Sequence, residues 1–220
     1  MNYEKFKQST NTMIKILVTI IFCICLISSY STAASAEVLF GASAETGPID
    51  VKADYDSGSD LSISPNMLTL YGEANLLVMR IGLEYGKAEK GSYSITTTNF
   101  KAGWELGPKV LKAKLYGGYY QYIFSDSRDN TYSSLAGDFG LESKIGKWTF
   151  YGDKVIPLTT RFDNGDSSDN SAGFNSITYG IAYSPVPFVN LFVNYRNVNA
   201  ESDVLDVSSH GYSVGAKVYF

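Results

Sequence analysis

Apolar and polar residues alternate along most of the sequence beyond residue 36, and this two-residue period limits the fold more than any other feature. In the segment 176–183 the apolar positions are Ile177, Tyr179, Ile181 and Tyr183. A period of two places these side chains on one face of a β-strand, whereas a helix would need a period of 3.6. No stretch past residue 36 keeps the helical period, so the sequence predicts an all-β chain.

The alternating segments form a regular series. We count ten, at 37–46, 67–75, 78–87, 94–105, 110–124, 134–145, 147–160, 174–184, 188–198 and 209–220. The connections between them alternate between short turns and long polar stretches such as FDNGDSSDNSAG. An even number of strands with this alternation is typical of an outer-membrane barrel. We therefore predict an antiparallel up-and-down transmembrane β-barrel of ten strands, with eight as the alternative.

A soluble sandwich or lipocalin-like barrel would also show alternation, with its apolar face buried. Two features favour the membrane barrel instead. The long connections all fall at one end, and the chain has 17 Tyr and 12 Phe, many near strand ends where interfacial girdles lie.

The first 36 residues have the features of a secretory signal peptide. Lys5, Lys7 and Lys15 precede an apolar run over 16–27, and Ala34-Ser35-Ala36 provides small residues for cleavage before Glu37. A membrane anchor is the alternative, but the apolar run is short for a hydrocarbon core of about 30 Å. The predicted organisation is therefore a signal peptide at 1–36 and a barrel at 37–220.

Composition excludes several classes of function. Both cysteines, Cys23 and Cys25, lie in the predicted signal peptide, so the exported chain would have no disulfide and no thiolate site. The net charge is −4 for the whole chain and becomes more negative without the N-terminal lysines, which argues against nucleic-acid binding. No cofactor motif or metal-spaced cluster is present, and we expect no cofactor.

The last predicted strand, GYSVGAKVYF, resembles the C-terminal recognition signal of bacterial outer-membrane proteins. Its alternating residues are Tyr212, Val214, Ala216, Val218 and Phe220. The whole pattern is similar to small porin-like barrels of the outer-membrane β-barrel superfamily. That resemblance implies an outer-membrane location, a monomeric barrel surrounded by outer-membrane lipids, and recognition by the barrel-assembly machinery.

If the aliphatic face meets lipid, the opposite face lines the lumen. The predicted inward charges are as often acidic as basic: Glu45, Glu73, Glu84, Glu105, Asp138, Glu142 and Asp153 with Arg80, Lys101, Lys112, Lys114, Lys144, Arg196 and Lys217. Bulky inward aromatics such as Tyr116, Tyr120, Tyr122 and Phe124 join them. Ten strands lie close to the eight that side chains just fill. A plugged lumen is favoured over a narrow water path.

One strand fits the scheme poorly. In the segment 147–160, parity directs Lys154 toward lipid, and Pro157 interrupts the ladder. A β-bulge near Asp153 and Lys154, or snorkelling of the lysine, would reconcile the strand with the barrel.

The sequence contains few residues that could form a catalytic site. His210 is the only histidine, and Ser208 and Asp206 precede it at two-residue spacing. Barrel enzymes that trim lipid A use a similar spacing, but no oxyanion donor can be named here, so a lipid-A hydrolase is a minor alternative. The sequence favours a non-enzymatic porin-like or structural barrel with acidic surface loops. A surface adhesion or interaction protein is the alternative.

Overall fold

A computed structural model describes residues 38–56, 58, 60–76, 79–108 and 110–220. The predicted signal peptide at 1–36 lies outside the described residues. The strands are β1 Val38–Tyr55, β2 Asp60–Ile63, β3 Asn66–Leu76, β4 Met79–Lys90, β5 Tyr93–Leu106, β6 Leu111–Ser125, β7 Asp129–Ile145, β8 Trp148–Asp163, β9 Ser168–Asp169, β10 Gly173–Val186, β11 Val189–Glu201 and β12 Leu205–Tyr219. In these ranges there is no helix with the length and hydropathy needed to cross a membrane.

The strands close into a barrel. Each long strand pairs antiparallel with the next in sequence, β12 pairs with β1, and β8 pairs with β10. The short strands β2 and β9 pair with the loop-end parts of β1 and β8. The predicted ten-stranded, up-and-down, antiparallel barrel is therefore confirmed, and eight strands is wrong. Closure leaves no free sheet edge around the wall, as a membrane-spanning sheet requires.

The two ends of the barrel differ. We call the end with the short connections, such as 145–148 and 186–189, the turn end, and the opposite end the loop end. Near the turn end the outward side chains are apolar and exposed, and they form an apolar belt: Leu68, Leu70, Phe100, Trp104, Leu115, Phe139, Leu141, Trp148, Phe150, Ile181, Leu191, Val193, Val214 and Val218. Ile181, Val214 and Val218, which the sequence placed on the apolar face of their strands, belong to this belt.

The strands extend further at the loop end than the sequence predicted. β1 continues to Tyr55 rather than ending at 46, and β7 begins at Asp129 rather than at 134. In these extensions the polarity of the two faces is reversed. On β1, Val51 and Ala53 are fully buried inside, while the intervening Lys52 and Asp54 are exposed. These extensions were not predicted because the prediction assumed that apolar residues point outward, whereas here they point inward.

The β8 strand carries a bulge, but not where the sequence placed it. The pairing with β7 runs from Leu135 opposite Thr159 to Ala136 opposite Pro157, which leaves Leu158 as the extra residue. The prediction of a bulge at Asp153 and Lys154 is wrong, because both residues keep regular partners on β7 and β10. Proline has no N–H to donate to the ladder, so the irregularity lies beside Pro157.

The candidate functional site: lumen and loop rim

The turn-end part of the lumen contains a network of ion pairs centred on Glu73. The Lys217 Nζ lies 2.6 Å from Glu73 Oε2, and the Arg80 Nη1 lies 3.7 Å from the same oxygen. Arg80 also reaches Glu105 at 2.8 Å, and Lys112 reaches the other oxygen of Glu105 at 3.0 Å. Glu73 is almost completely buried, so the two cations compensate a carboxylate that has lost its water.

A second group of charges lies further along the lumen around Arg196. Its guanidinium contacts both oxygens of Glu84, at 2.6 Å and 3.1 Å, in a bidentate arrangement. It also lies 3.5 Å from Glu45. Neutral amides complete the group, because Asn99 donates to Glu84 and Asn194 donates to Glu45.

Two further ion pairs lie on the inner wall of the barrel. Lys101 Nζ lies 2.7 Å from Asp138, and the hydroxyl of Tyr120 donates to the same carboxylate oxygen at 3.2 Å. Lys114 lies 3.1 Å from Glu142. The first pair links β5 to β7 across the inner face of β6, and the second links the neighbouring strands β6 and β7.

The predicted lumen residues have the following positions. Glu73, Arg80, Glu84, Lys101, Glu105, Lys112, Lys114, Asp138, Glu142, Arg196 and Lys217 take part in the ion pairs above. Lys144 does not share their environment, since it is exposed beside the turn that follows Ile145. Asp153 lies 3.9 Å from Lys114, at the margin of the network.

The sequence predicted only part of a second layer of the lumen, namely the inward Tyr120, Tyr122 and Phe124. At the loop end the interior is filled by an apolar cluster: Val51, Ala53, Ala88, Ile95, Tyr120, Tyr122, Phe124, Tyr132, Ala136, Val155, Phe162, Ala172, Phe174, Val198, Ala200, Leu205 and Val207. The rings of Tyr132 and Phe162 lie 5.0 Å apart, and both side chains have no exposed surface. This layer could have been predicted from the alternation in segments such as VKADY, if their apolar residues had been assigned to the inner face.

Side-chain bonds tie the loops together over this apolar cluster. The hydroxyl of Tyr55 donates to Asp126, and the hydroxyl of Tyr132 donates to the carbonyl oxygen of Leu205. Burial would raise the pKa of Asp126, but hydrogen bonds from Tyr55 and the Arg128 amide outweigh it and lower that pKa. Burial and the contact with Asp126 raise the pKa of Tyr55 above its usual range.

The minor candidate for catalysis lies on the outer wall. Asp206, Ser208 and His210 share the outward face of β12, and the pairing with β1 places Asp50 opposite His210. Asp50 accepts a hydrogen bond from the hydroxyl of Ser64, and Asp206 accepts one from the backbone N–H of Ser202. Among the described residues, no group of three or more His, Cys, Asp or Glu side chains is placed to hold a metal ion.

Comparison with solved structures identifies the fold. The outer-membrane protease OmpT from Escherichia coli superposes with a TM-score of 0.55 at 10% identity, covering 86% of this chain and 99% of that chain. The chain has the fold of a small outer-membrane β-barrel. Neisserial surface protein A superposes with a TM-score of 0.45 at 15% identity, covering 82% of this chain and 97% of that chain. No protein-family model matches the sequence. No curated protein matches it either.

The surface of the barrel agrees with this fold. The apolar belt exposes large side chains, with Val214 58% and Phe150 43% exposed, around a wall that has no free edge. Such a belt needs a hydrocarbon environment, because monomeric soluble proteins rarely expose a contiguous apolar surface of this extent. The barrel therefore resides in the outer membrane.

Proposed function

We propose that this protein is a non-conducting structural barrel of the outer membrane that presents its acidic loops at the cell surface. The observation that carries the proposal is the filled lumen, with ion pairs toward the turn end and an apolar cluster toward the loop end. Each layer would resist an ion for a different reason. The first would require breaking compensated charge pairs, and the second offers no polar groups to replace hydration.

Planar-bilayer recording tests the closed lumen. We expect the purified barrel to give no steady conductance at neutral pH, in contrast to an open porin. A matched variant tests the layers separately: replacing Phe162 and Phe174 by Gly removes two rings of the apolar cluster, and the ion pairs toward the turn end should still keep the barrel closed. Steady unitary currents from the unaltered barrel would contradict the proposal and favour a narrow pore.

A second candidate is a surface interaction protein that uses the same loops. It is favoured by the bonds that hold the loops in place, namely Tyr55 to Asp126 and Arg128 to Asp166. Loops fixed in this way present a constant surface at low entropic cost of binding. The long connections carry many acids, including Asp56, Asp126, Asp129, Asp163, Asp166, Asp169, Glu201 and Asp203, so a basic partner would suit them. Loop-dependent adhesion by a silent barrel would support this candidate.

We propose no catalytic role. The candidate residues are Asp206, Ser208 and His210, and the carboxylate of Asp206 accepts a hydrogen bond from the Ser202 backbone N–H. Purified barrel incubated with lipid A should leave its acyl chains intact. Release of fatty acid that is lost in Ser208→Ala would overturn this view.

We further propose that the barrel is a monomer and that β12 carries the signal for the assembly machinery. The expected signal residues Tyr212, Val214, Ala216 and Val218 point outward, and Phe220 follows the strand. Phe220→Ala should lower the amount of barrel in the outer membrane while leaving folding into micelles nearly unchanged. Equal cellular levels of the two proteins would mean that Phe220 is an ordinary strand end.

A further inference from the structure

The lumen carries one more acid than it has bases. The sequence placed seven acids and seven bases on the inward face, and the structure removes Lys144 from that set. Among the described residues, seven acids and six bases therefore make the ion pairs of the lumen. A carboxylate held away from water needs a cation or hydrogen-bond donors to compensate its charge. One negative charge of the lumen must be compensated in another way.

Glu45 shares its only base but has other partners. Arg196 pairs with Glu45 and with Glu84, so two carboxylates share one guanidinium. The amide of Asn194 donates to Glu45 at 2.6 Å, and the hydroxyl of Ser213 donates to the same oxygen at 2.9 Å. Neutral donors therefore supply what the shared base does not.

Asp153 also shares its base, and it lacks such donors. The Nζ of Lys114 lies 3.1 Å from Glu142 and 3.9 Å from Asp153 Oδ1, so Glu142 is the closer partner. No donor among the described residues forms a hydrogen bond with this buried Oδ1. Asp153 is thus the acid of the lumen whose charge is least compensated.

A second carboxylate oxygen without a partner lies next to Asp153. Asp138 is only 1% exposed, and Lys101 and Tyr120 both contact its Oδ2, whereas its Oδ1 accepts no hydrogen bond from the described residues. The strand pairing places Gly140 opposite Asp153, and Asp138 is the next inward residue of β7. A Cβ at Gly140 would collide with Asp153 Oδ1. The carboxylate of Asp153 therefore lies over β7, beside Asp138.

We propose that Asp138 and Asp153 together bind one proton. Two ionised carboxylates can only accept hydrogen bonds, but a proton on one of them turns that group into a donor to the other. Like charges at one site also repel, which favours holding one proton between two such groups. The proton balances the lumen at six negative and six positive charges, and it leaves Lys114 to Glu142.

A metal cation suits this position less well than a proton. The Nζ of Lys114, 3.9 Å from Asp153 Oδ1, would repel it. In the part of the chain that the structure describes, no three His, Cys, Asp or Glu side chains are grouped to hold a metal ion. A proton needs no shell of oxygen ligands, whereas a metal cation does.

The groups around the pair determine its response to pH. The charged and titratable groups that face it are Lys101 on β5, Lys112, Lys114, Tyr116 and Tyr120 on β6, Glu142 on β7 and Tyr151 on β8. The neighbour on β10 is the neutral Thr178. Lysine and tyrosine side chains keep their protons through neutral pH, and Glu142 has Lys114 as its partner. Between pH 6 and pH 9, the pair is therefore the group of this set that can release a proton.

Infrared spectroscopy of the folded barrel in micelles detects the bound proton directly. We expect the C=O band of a protonated carboxyl at pH 6, and this band should shift when the aspartate carboxyl groups carry ¹³C but not when the glutamate groups do. Asp153→Asn should abolish the band, because the amide can donate to Asp138 without a proton. Absence of the band in the unaltered barrel would overturn the proposal.

Two matched variants each remove one acid of the lumen. Glu142→Gln should also abolish the band, because Lys114 then becomes the partner of Asp153. Glu45→Gln should keep it, since Glu45 has its own donors and does not compete for Lys114. Loss of the band in Glu45→Gln would show that the charge of the whole lumen, and not the pair, retains the proton.

The pH dependence of urea unfolding provides a second readout. The folded barrel would hold a proton that the unfolded chain releases above the ordinary aspartate pKa of about 3.9, so resistance to urea should fall as the pH rises from 6 to 9. Asp153→Asn should lose this dependence and Glu45→Gln should retain it. His210 is common to all three proteins and cancels in the comparison. The same pH dependence in Asp153→Asn and in the unaltered barrel would contradict the proposal.

Exchange of Na⁺ for choline at constant ionic strength distinguishes a proton from a metal cation. Both the infrared band and the urea resistance should be the same in the two salts. Urea resistance that rises with Na⁺ in the unaltered barrel but not in Asp153→Asn, without a protonated carboxyl band, would show that the pair binds a metal cation and that the proposal is wrong.

Discussion

The turn-end and loop-end halves of the barrel are built from the same strands with opposite polarity. In the turn-end half, β12 directs Val214 and Val218 outward and Lys217 into the lumen. In the loop-end half, the same strand directs Ser208 and His210 outward and buries Leu205 and Val207. The boundary on this strand lies near Tyr212, whose ring packs at a tilt against the ring of Tyr195, with the two centroids 5.0 Å apart.

The difference follows from the solvent on each side of the wall. Where lipid surrounds the barrel, the inside is the only place for polar groups, and they compensate one another in ion pairs. Where water surrounds the barrel, the inside becomes the place for apolar groups, as in a soluble barrel. The strand period stays at two throughout, and only the face that carries the apolar residues changes.

The largest expected effect concerns the ion pairs of the membrane half. Glu73→Gln leaves Lys217 and Arg80 without their shared carboxylate, and breaking a buried pair on one side costs about 3–5 kcal/mol. We expect this loss in urea unfolding of the barrel in micelles. The double variant Glu73→Leu with Lys217→Leu should recover much of it, because both buried charges are then removed. A double variant as unstable as the single one would show that the pair itself is not the cause.

The apolar cluster of the loop-end half gives the next largest effect. Phe162→Ala removes a fully buried ring that packs against Tyr132, a change that costs about 3–5 kcal/mol in protein cores. Because the cluster lies above the belt, we expect faster amide exchange in the loop-end half and little change near Trp148. Phe162→Leu should restore most of the protection. Uniform loss of protection along β8 would mean that the halves are not distinct.

The boundary between the halves can be tested on one strand face. Val214→Arg places a charge near the middle of the belt and should cost about 2–4 kcal/mol of unfolding free energy in lipid vesicles. His210→Arg, on the same face of β12 but beyond Tyr212, should cost less than about 0.5 kcal/mol, as for other surface changes. Similar losses of unfolding free energy in the two variants would mean that both positions face lipid. The polarity of β12 would then not reverse near Tyr212.

The smallest effect concerns the loops. Because the pKa of Asp126 is lowered in the folded barrel, its bond with Tyr55 contributes stability above the ordinary aspartate pKa of about 3.9, and this contribution is lost as the pH falls below that value. Amide exchange at 126–130, corrected for pH, should therefore rise between pH 6 and pH 3. Asp126→Asn should show the faster exchange already at pH 6, whereas Asp129→Asn should not.

Much of the membrane half could be predicted from the sequence, because alternation directly encodes two faces. Parity alone assigned Glu73, Arg80 and Arg196 to the lumen. Which charges meet was not accessible: Arg196 and Glu84 are far apart in sequence, and their contact depends on how the strands are staggered around the closed wall. Of the loop-end half only the inward Tyr120, Tyr122 and Phe124 were predicted, because strand segments such as VKADY carry the opposite polarity.

Spin labels placed one at a time along β12 test the reversal of polarity most directly. With the barrel in lipid vesicles, collision rates with oxygen report lipid contact and collision rates with a water-soluble nickel chelate report water. At outward positions we expect lipid contact at 214, 216 and 218 and water contact at 206, 208 and 210, while inward labels at 207 and 209 are shielded from both. Lipid contact at all outward positions, or free access of the chelate to 207 and 209, would contradict a barrel whose lumen is closed by an apolar cluster above the membrane.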